Sequence, residues 1–217
     1  MSRQLIPADL EEYAVDYTTA ESSVLAALNR ETNMKVPQAV MLSGHLQGAF
    51  LAMVSHMVQP KRILEIGTYT GYSAICLAQG LQPGGILHTI EIDEELYDIT
   101  HKYITQAGLS GKVIHHIGNA PDIIPTLNET FDLVFIDADK PNYEYYFHLV
   151  FNKLRIGGYI LADNVLYEGD VLLPIEKQSK NARGISSFNK MIKEDSRIEH
   201  VLLPIRDGLM LVRKIQD

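Results

Sequence analysis

The sequence predicts an α/β fold: a mostly parallel, seven-stranded sheet with helices on both faces, closed by a C-terminal antiparallel hairpin. Three observations carry that reading. From Arg62 onward, short β-branched runs alternate with helical stretches, the pattern of βαβ units in a parallel sheet covered on both sides. Near the C-terminus two apolar runs are separated by little more than a turn, so they must pair antiparallel. No repeat, low-complexity tract or linker divides the chain, and residues 1–217 are read as one domain.

The elements follow in order. The first sixty residues read as helical. Thr18-Thr-Ala-Glu21 has capping-box spacing ahead of Val24, Leu25 and Leu28. A second helix runs from about Ser43 to Val58, its apolar positions being Leu46, Ala49, Phe50, Met53, Val54 and Met57. Strands are expected at Arg62–Ile66, Ile86–Glu91, Val113–Ile117, Phe131–Asp137 and Tyr159–Asp163. Helices fall between them near Tyr72–Gln79, Glu95–Ala107, Pro121–Leu127 and Tyr143–Leu154. A helix near Ile185–Lys193 leads to the last two strands, Ile198–Leu203 and Leu209–Val212, joined through Pro204-Ile-Arg-Asp-Gly208.

Charge and composition exclude several function classes. The formal charge is −8 and is spread along the chain, whereas nucleic-acid or anionic-membrane binding needs a clustered basic surface. The single cysteine, Cys76, lies in an apolar run and reads as a buried, inert thiol, so neither an internal disulfide nor a thiolate metal cage is available. Met1–Pro7 carries no apolar signal core and no stretch is long enough to span a bilayer, so a cytoplasmic protein is expected.

Two constellations carry chemistry. Leu64-Glu-Ile-Gly-Thr-Tyr-Thr-Gly-Tyr-Ser73 closes the first strand and opens a helix. Gly67 and Gly71 permit a tight turn and a close backbone approach to a ligand. The first N–H groups of the helix can donate to a carboxylate, with the Ser73 hydroxyl beside them. Glu91, ending the next strand, is placed to accept from ribose hydroxyls. A Gly-containing βα turn alone would say little. With Glu91 it favours an adenosine cofactor, and G-x-G-x-x-G and Tyr-x-x-x-Lys, which a dinucleotide reductase would need, are absent.

The second constellation sits at the ends of the fourth and fifth strands, Phe135-Ile-Asp-Ala-Asp-Lys140 and Leu161-Ala-Asp-Asn164. A lone Asp at a strand end is more often a helix cap. If strands one, four and five are neighbours, however, Asp137, Asp163 and Asn164 converge beside the cofactor. Two carboxylates and an amide oxygen suit a hard divalent cation, Mg²⁺ first, with Mn²⁺ and Ca²⁺ as alternatives. Lys140 is the candidate general base, with an ammonium expected to be lowered by a nearby cation.

At these residues the sequence resembles the cation-dependent O-methyltransferases that include catechol O-methyltransferase and the caffeoyl-CoA O-methyltransferases. The similarity extends from about Thr18 to Lys214. It includes Met41-Leu-Ser43, the Leu64–Ser73 segment, Glu91, Gly118-Asn-Ala120, Phe131–Tyr143, Ala162-Asp-Asn-Val165 and Asp207-Gly-Leu209. The resemblance implies a Rossmann-like class I methyltransferase fold. It also implies transfer of a methyl group from S-adenosylmethionine to a hydroxyl of a small catechol-like or phenylpropanoid acceptor, assisted by a divalent cation. It assigns metal ligation to Asp137, Asp163 and Asn164, and the role of base to Lys140. Cofactor contacts would come from Met41, Ser43, Glu65, Gly67, Tyr69, Ser73, Glu91, Ile92, Ala120, Asp137 and Asp139, that of Met41 resting on the family alone. A homodimer is expected, with residues of about 1–60 as a cap and a dimer or acceptor-site element.

Two features depart from the family. Tyr167 stands where many relatives carry tryptophan. The acceptor loop Leu166–Arg183, with Glu168, Asp170, Glu176, Lys177, Lys180 and Arg183, matches no known acceptor-reading set, which leaves a CoA thioester as one acceptor option only. Three groups are given no chemical role: His115-His116, read as packing and solvation across a strand; Tyr143 and Tyr146, as core or dimer packing; and Arg183, as an exposed loop residue. Two competing functions remain, a metal-free methyltransferase of RNA or protein and a non-catalytic binding module. The acidic balance and the paired strand-end acids speak against the first, and Lys140 beside a full oxygen set against the second.

Overall fold

A computed structural model describes residues 6–217. Residues 1–5, which carry most of the Met1–Pro7 segment and the start of the expected cap, lie outside the described residues. After α1 (Ala8–Asp16) and α2 (Ser23–Lys35), α3 (Gly44–Val58) leads into β1 (Arg62–Ile66). There follow α4 (Tyr72–Ala78), β2 (Ile86–Glu91), α5 (Tyr97–Gln106), β3 (Val113–Ile117), α6 (Ala120–Ile123), β4 (Phe131–Ile136), α7 (Tyr143–Phe151) and β5 (Leu154–Asp163). The chain closes with α8 (Lys180–Glu194), β6 (Ile198–Leu203) and β7 (Leu209–Lys214).

The described residues form a seven-stranded sheet of order β3-β2-β1-β4-β5-β7-β6. It is parallel through β5, and β7 pairs antiparallel with both β5 and β6. The expected fold class is therefore the observed one. Side-chain alternation along the strands builds two cores. Leu64, Ile66, Val134, Ile136 and Ile160 face α7 and α8. Ile63, Leu87, Leu133, Phe135 and Leu161 face the layer of α2 to α5. Strand order reverses between β1 and β4, so their carboxyl ends, with that of β5, open onto one crevice.

Four local expectations need correction. The helix cap is Ser22, whose hydroxyl accepts from Leu25 N–H, and not Thr18. Thr18 donates to Ala14 O instead, and Glu21 accepts from Tyr72 Oη. On α3 the buried face is Gln47, Gly48, Leu51, Ala52, Val54 and Ser55, while Met53 and Met57 of the expected apolar stripe are exposed. Small residues explain this inversion. A Cβ on Gly48 would lie 2.6 Å from Tyr72 Cε1 and 2.9 Å from Cys76 Sγ, so α3 can touch α4 only through that side. β5 begins at Leu154, five residues earlier than expected, with a register irregularity against β4 between Phe131 and Leu133 that falls at the Gly157-Gly158 stretch. α8 begins at Lys180, capped by the Ser179 hydroxyl, which accepts from Ala182 N–H.

Candidate active site

A single cleft of about 1810 Å³ runs along the carboxyl ends of β1, β2, β4 and β5. Its wall holds Met41, Ser43, Gly67, Tyr69, Ser73, Glu91, Ile92, Ala120, Asp137, Asp139, Lys140, Asp163 and Asn164. Of the cofactor, metal and base residues that the resemblance assigns, Glu65 is the exception. It is wholly buried behind the wall, with Thr89 Oγ1 donating to its Oε2 at 2.5 Å and Oε1 without a donor in hydrogen-bond geometry. Burial pushes Glu65 up to about 8, against the pull of the Ser73 and Thr89 hydroxyls.

On the β1–β2 side, backbone does the positioning. Gly67 has φ +97°, and a Cβ there would sit 2.0 Å from the Asp137 carbonyl oxygen, so only glycine lets the β1 and β4 loops meet. Glu91 accepts from Tyr69 N–H at 2.7 Å, Ile92 N–H at 2.9 Å and Asp93 N–H at 3.0 Å. A carboxylate has about four lone-pair sites, so three amides lock it and leave roughly one for a ligand hydroxyl. Ile92 and Met41 present exposed apolar side chains to the same cleft, and Ser43, buried at its wall, does not cap α3 with its hydroxyl. Apolar flanks, a fixed acid and a hydroxyl fit an adenosine-bearing ligand.

On the β4–β5 side, side chains do it. Lys140 Nζ donates to Asp137 Oδ1 and to Tyr143 Oη, both at 2.8 Å. Tyr143 Oη in turn donates to the Asp163 carbonyl at 3.0 Å. Its ring packs edge-on against Phe188, so the core reading of Tyr143 holds for the ring and misses the hydroxyl. Tyr146 likewise donates to Asp139 Oδ1. Gly184 brings α8 against this corner, since a Cβ there would lie 2.6 Å from Lys140 O. Burial pulls the Lys140 ammonium down, but Asp137 and Tyr143 outweigh it and hold Lys140 above its ordinary range.

Asp163 is wholly buried, and burial first and Asp137 second raise it above the usual carboxylate range. Gln47 Nε2 donates to its Oδ2 at 2.7 Å and Asn164 N–H to its Oδ1 at 2.7 Å. Asn164 occupies the left-handed region at φ 56°, which asparagine tolerates. Its Nδ2 donates to Asp207 Oδ2 at 3.3 Å, an assignment that leaves Oδ1 as the outward acceptor. Among the described residues no group of three or more His, Cys, Asp or Glu side chains gathers for a metal. The oxygen donors that do adjoin are the Asp137 and Asp163 carboxylates and the Asn164 side-chain amide. Two adjoining acids, one of them buried against its charge, make that donor set fit a hard divalent ion.

Sequence reasoning missed Gln47, Arg206 and the hydroxyl of Tyr143. Gln47 had no signal, because the face it shares with Gly48, Leu51 and Ser55 is buried only once α3 has packed. Arg206 had none, because only the folded turn brings it to α3.

This fold and this cleft define a class I methyltransferase. The chain matches the family described as O-methyltransferase over residues 13–215, and it belongs to that family. It is 36% identical over 197 residues to caffeoyl-CoA O-methyltransferase of Petroselinum crispum, covering 86% of this chain and 82% of that one. The crystal structure of the O-methyltransferase TomG from Streptomyces achromogenes, in complex with SAM, superposes with a TM-score of 0.87 at 29% identity, covering 95% and 96% of the two chains. The O-methyltransferase from Bacillus cereus, in complex with SAH, gives 0.84 at 31% identity, covering 95% and 97%. The enzyme class read from the sequence, an S-adenosylmethionine-dependent O-methyltransferase, is that of this chain.

Proposed function

We propose that the chain transfers the methyl group of S-adenosylmethionine to a hydroxyl of a small catechol-like or phenylpropanoid acceptor, with help from a divalent cation, Mg²⁺ in the first place. The observation that supports this most is the meeting of Asp137, Asp163, Asn164 and Lys140 in the same cleft as the Glu91 cradle. Glu91, Met41, Ile92 and Ala120 would hold the nucleoside, Ser43, Gly67, Tyr69 and Ser73 the remaining cofactor atoms, and Asp137 and Asp139 the side nearest the acceptor. Glu65 would act from behind the wall.

Asp137, Asp163 and Asn164 would hold the cation, which when bound lowers the pKa of a chelated hydroxyl and fixes its position. Lys140, carried by a turn that Gly184 packs tightly, would take the hydroxyl proton; an added positive charge near Asp137 opposes the balance that now keeps it charged. Burial of Asp163 and Tyr143 keeps water from the rear of the site. Holding nucleophile and methyl group in near-attack geometry can supply roughly 7–11 kcal/mol in favourable cases.

The relatives named for caffeoyl-CoA bring a CoA thioester forward as one acceptor. Tyr167, whose hydroxyl accepts from Asn181 Nδ2 at 2.8 Å, would shape the acceptor end together with Glu168 and Asp170. Arg183 is turned to Gln178 O and does not line the cleft. The same reading takes the chain as one domain whose N-terminal helices cap the cleft, since Glu11, Glu31 and Lys35 line it. It includes a homodimer, for which exposed Met53 and Met57 offer an apolar surface, and a cytoplasmic location. No helix of the described residues is long and apolar enough to cross a membrane.

The test is methyl transfer from labelled S-adenosylmethionine to caffeoyl-CoA and to free catechols, with Mg²⁺ and with EDTA. Product formed with Mg²⁺ and lost with EDTA supports the reading. Undiminished turnover in metal-free buffer contradicts the cation's part, and methylation of RNA or peptide in place of the catechols contradicts the acceptor class.

A further inference from the structure

Behind Asp163 lies a polar chain that crosses three segments distant in sequence. Gln47, 1% exposed on the buried face of α3, donates from Nε2 to Asp163 Oδ2 at 2.7 Å. Its Oε1 accepts from Arg206 Nη1 at 3.0 Å. Arg206, at φ 50° in the β6–β7 turn, also donates to the carbonyls of Leu42 and Ser43. A guanidinium only donates and a carboxylate only accepts. Arg206 therefore fixes which end of the Gln47 amide faces Asp163: the reversed amide would set an oxygen against the carboxylate and an N–H₂ against the guanidinium.

We infer that Gln47, held by Arg206, is a positioning residue that keeps the buried Asp163 carboxylate aimed at the cation, and that Arg206 ties this to the Leu42-Ser43 strap on the cofactor side. The inference rests on the proposed cation site. Partners that orient a ligating carboxylate typically contribute roughly 10–100-fold to metal affinity. Because Arg206 holds the strap as well, it acts on both sides of the cleft, whereas Gln47 acts on one.

The experiment measures Mn²⁺ binding by electron paramagnetic resonance of the free ion, and binding of S-adenosylhomocysteine by calorimetry in metal-free buffer. It compares wild type, Asp163→Asn, Gln47→Met, Arg206→Met and the Gln47→Met/Arg206→Met double variant, each checked by thermal melting. Met keeps the length of Gln without its hydrogen bonds. Gln47→Met should weaken Mn²⁺ binding by roughly 10–100-fold and leave S-adenosylhomocysteine binding unchanged. Its kcat should recover when Mg²⁺ is raised to saturation, which a merely loosened fold would not do. Arg206→Met should weaken both ligands. The double variant should bind Mn²⁺ no worse than the weaker single variant, because Arg206 reaches Asp163 through Gln47.

Wild-type Mn²⁺ binding with Gln47→Met equal to it overturns the inference alone. So does a double variant in which the two losses multiply, or a Gln47→Met that loses both ligands together. Absence of Mn²⁺ binding in wild type, or its persistence in Asp163→Asn, overturns the cation site beneath it.

Discussion

The two halves of the cleft are built by different means. On the β1–β2 side, Glu91 is gripped by three backbone N–H groups, two of them its immediate successors in the chain. On the β4–β5 side, Asp163 takes one such bond, from Asn164 N–H, and is otherwise held by Gln47, 116 positions away, which is itself held by Arg206, 159 positions from Gln47. The amides that hold Glu91 survive any side-chain change other than one to proline, so that grip does not rest on the side chains of Tyr69, Ile92 or Asp93. The β4–β5 half depends on side chains whose partners are largely other side chains, and a single substitution can leave a buried charge uncompensated. The division matches the chemistry. A nucleoside is recognised by shape and a few fixed groups, whereas a cation site needs charges held in a geometry they would otherwise leave.

Substitutions that separate the halves test this contrast. The largest effect is expected from Lys140→Met: kcat should fall by roughly 10²–10⁴-fold, the range for a lost general base, while binding of both S-adenosylhomocysteine and Mn²⁺ persists. Retained kcat would remove Lys140 from the chemistry. Asp163→Asn should lower kcat/KM by roughly 10²-fold or more. Its melting temperature should change little, because the amide relieves the desolvation that raises the buried carboxylate but turns an N–H₂ toward one of the donors, Gln47 Nε2 or Asn164 N–H. Glu91→Gln should do the reverse, weakening S-adenosylhomocysteine by roughly 10–150-fold, the equivalent of about 1.5–3 kcal/mol for a hydrogen bond to a charged group, and sparing Mn²⁺. If both substitutions damage both ligands alike, the cleft is one cooperative unit and the contrast fails.

The smallest effect lies at the sheet edge, away from both halves. Burial first, then His116 and His101, push His115 down to about 4, and burial also lowers His88 and His116. A histidine with a depressed folded pKa stays neutral in the fold while the unfolded chain gains a proton. The unfolded state then binds more protons, so stability is full above about pH 6.5 and falls as pH drops toward about 4. Urea denaturation at pH 7 and pH 5 should show a smaller acid loss in His115→Gln than in wild type. An equal loss would place the acid sensitivity elsewhere.

What the sequence revealed follows the same division. Strand ends, glycine turns and the acids that follow them are local patterns, and β1, β2, β3 and β6 fall where the sequence placed them. That β4 and β5 end side by side was legible too, and it sets Asp137, Asp163 and Asn164 on the wall of one cleft. Gln47 and Arg206 were not, because their roles exist only once α3 has packed on α4 through Gly48 and the β6–β7 turn has reached it. The misread face of α3 had the same source. An apolar stripe points inward by default, yet close approach of two helices is decided by the smallest side chains. Met53 and Met57 were left outside as a result.

The central claim is that one ion binds Asp137, Asp163 and Asn164 within the cofactor cleft. The most direct measurement is anomalous diffraction from crystals grown with Mn²⁺ and S-adenosylhomocysteine. A single strong peak within coordination distance of those three side chains, with Lys140 Nζ no longer on Asp137, is the result predicted. A cleft holding the cofactor with no peak there, or a peak coordinated elsewhere, would contradict it.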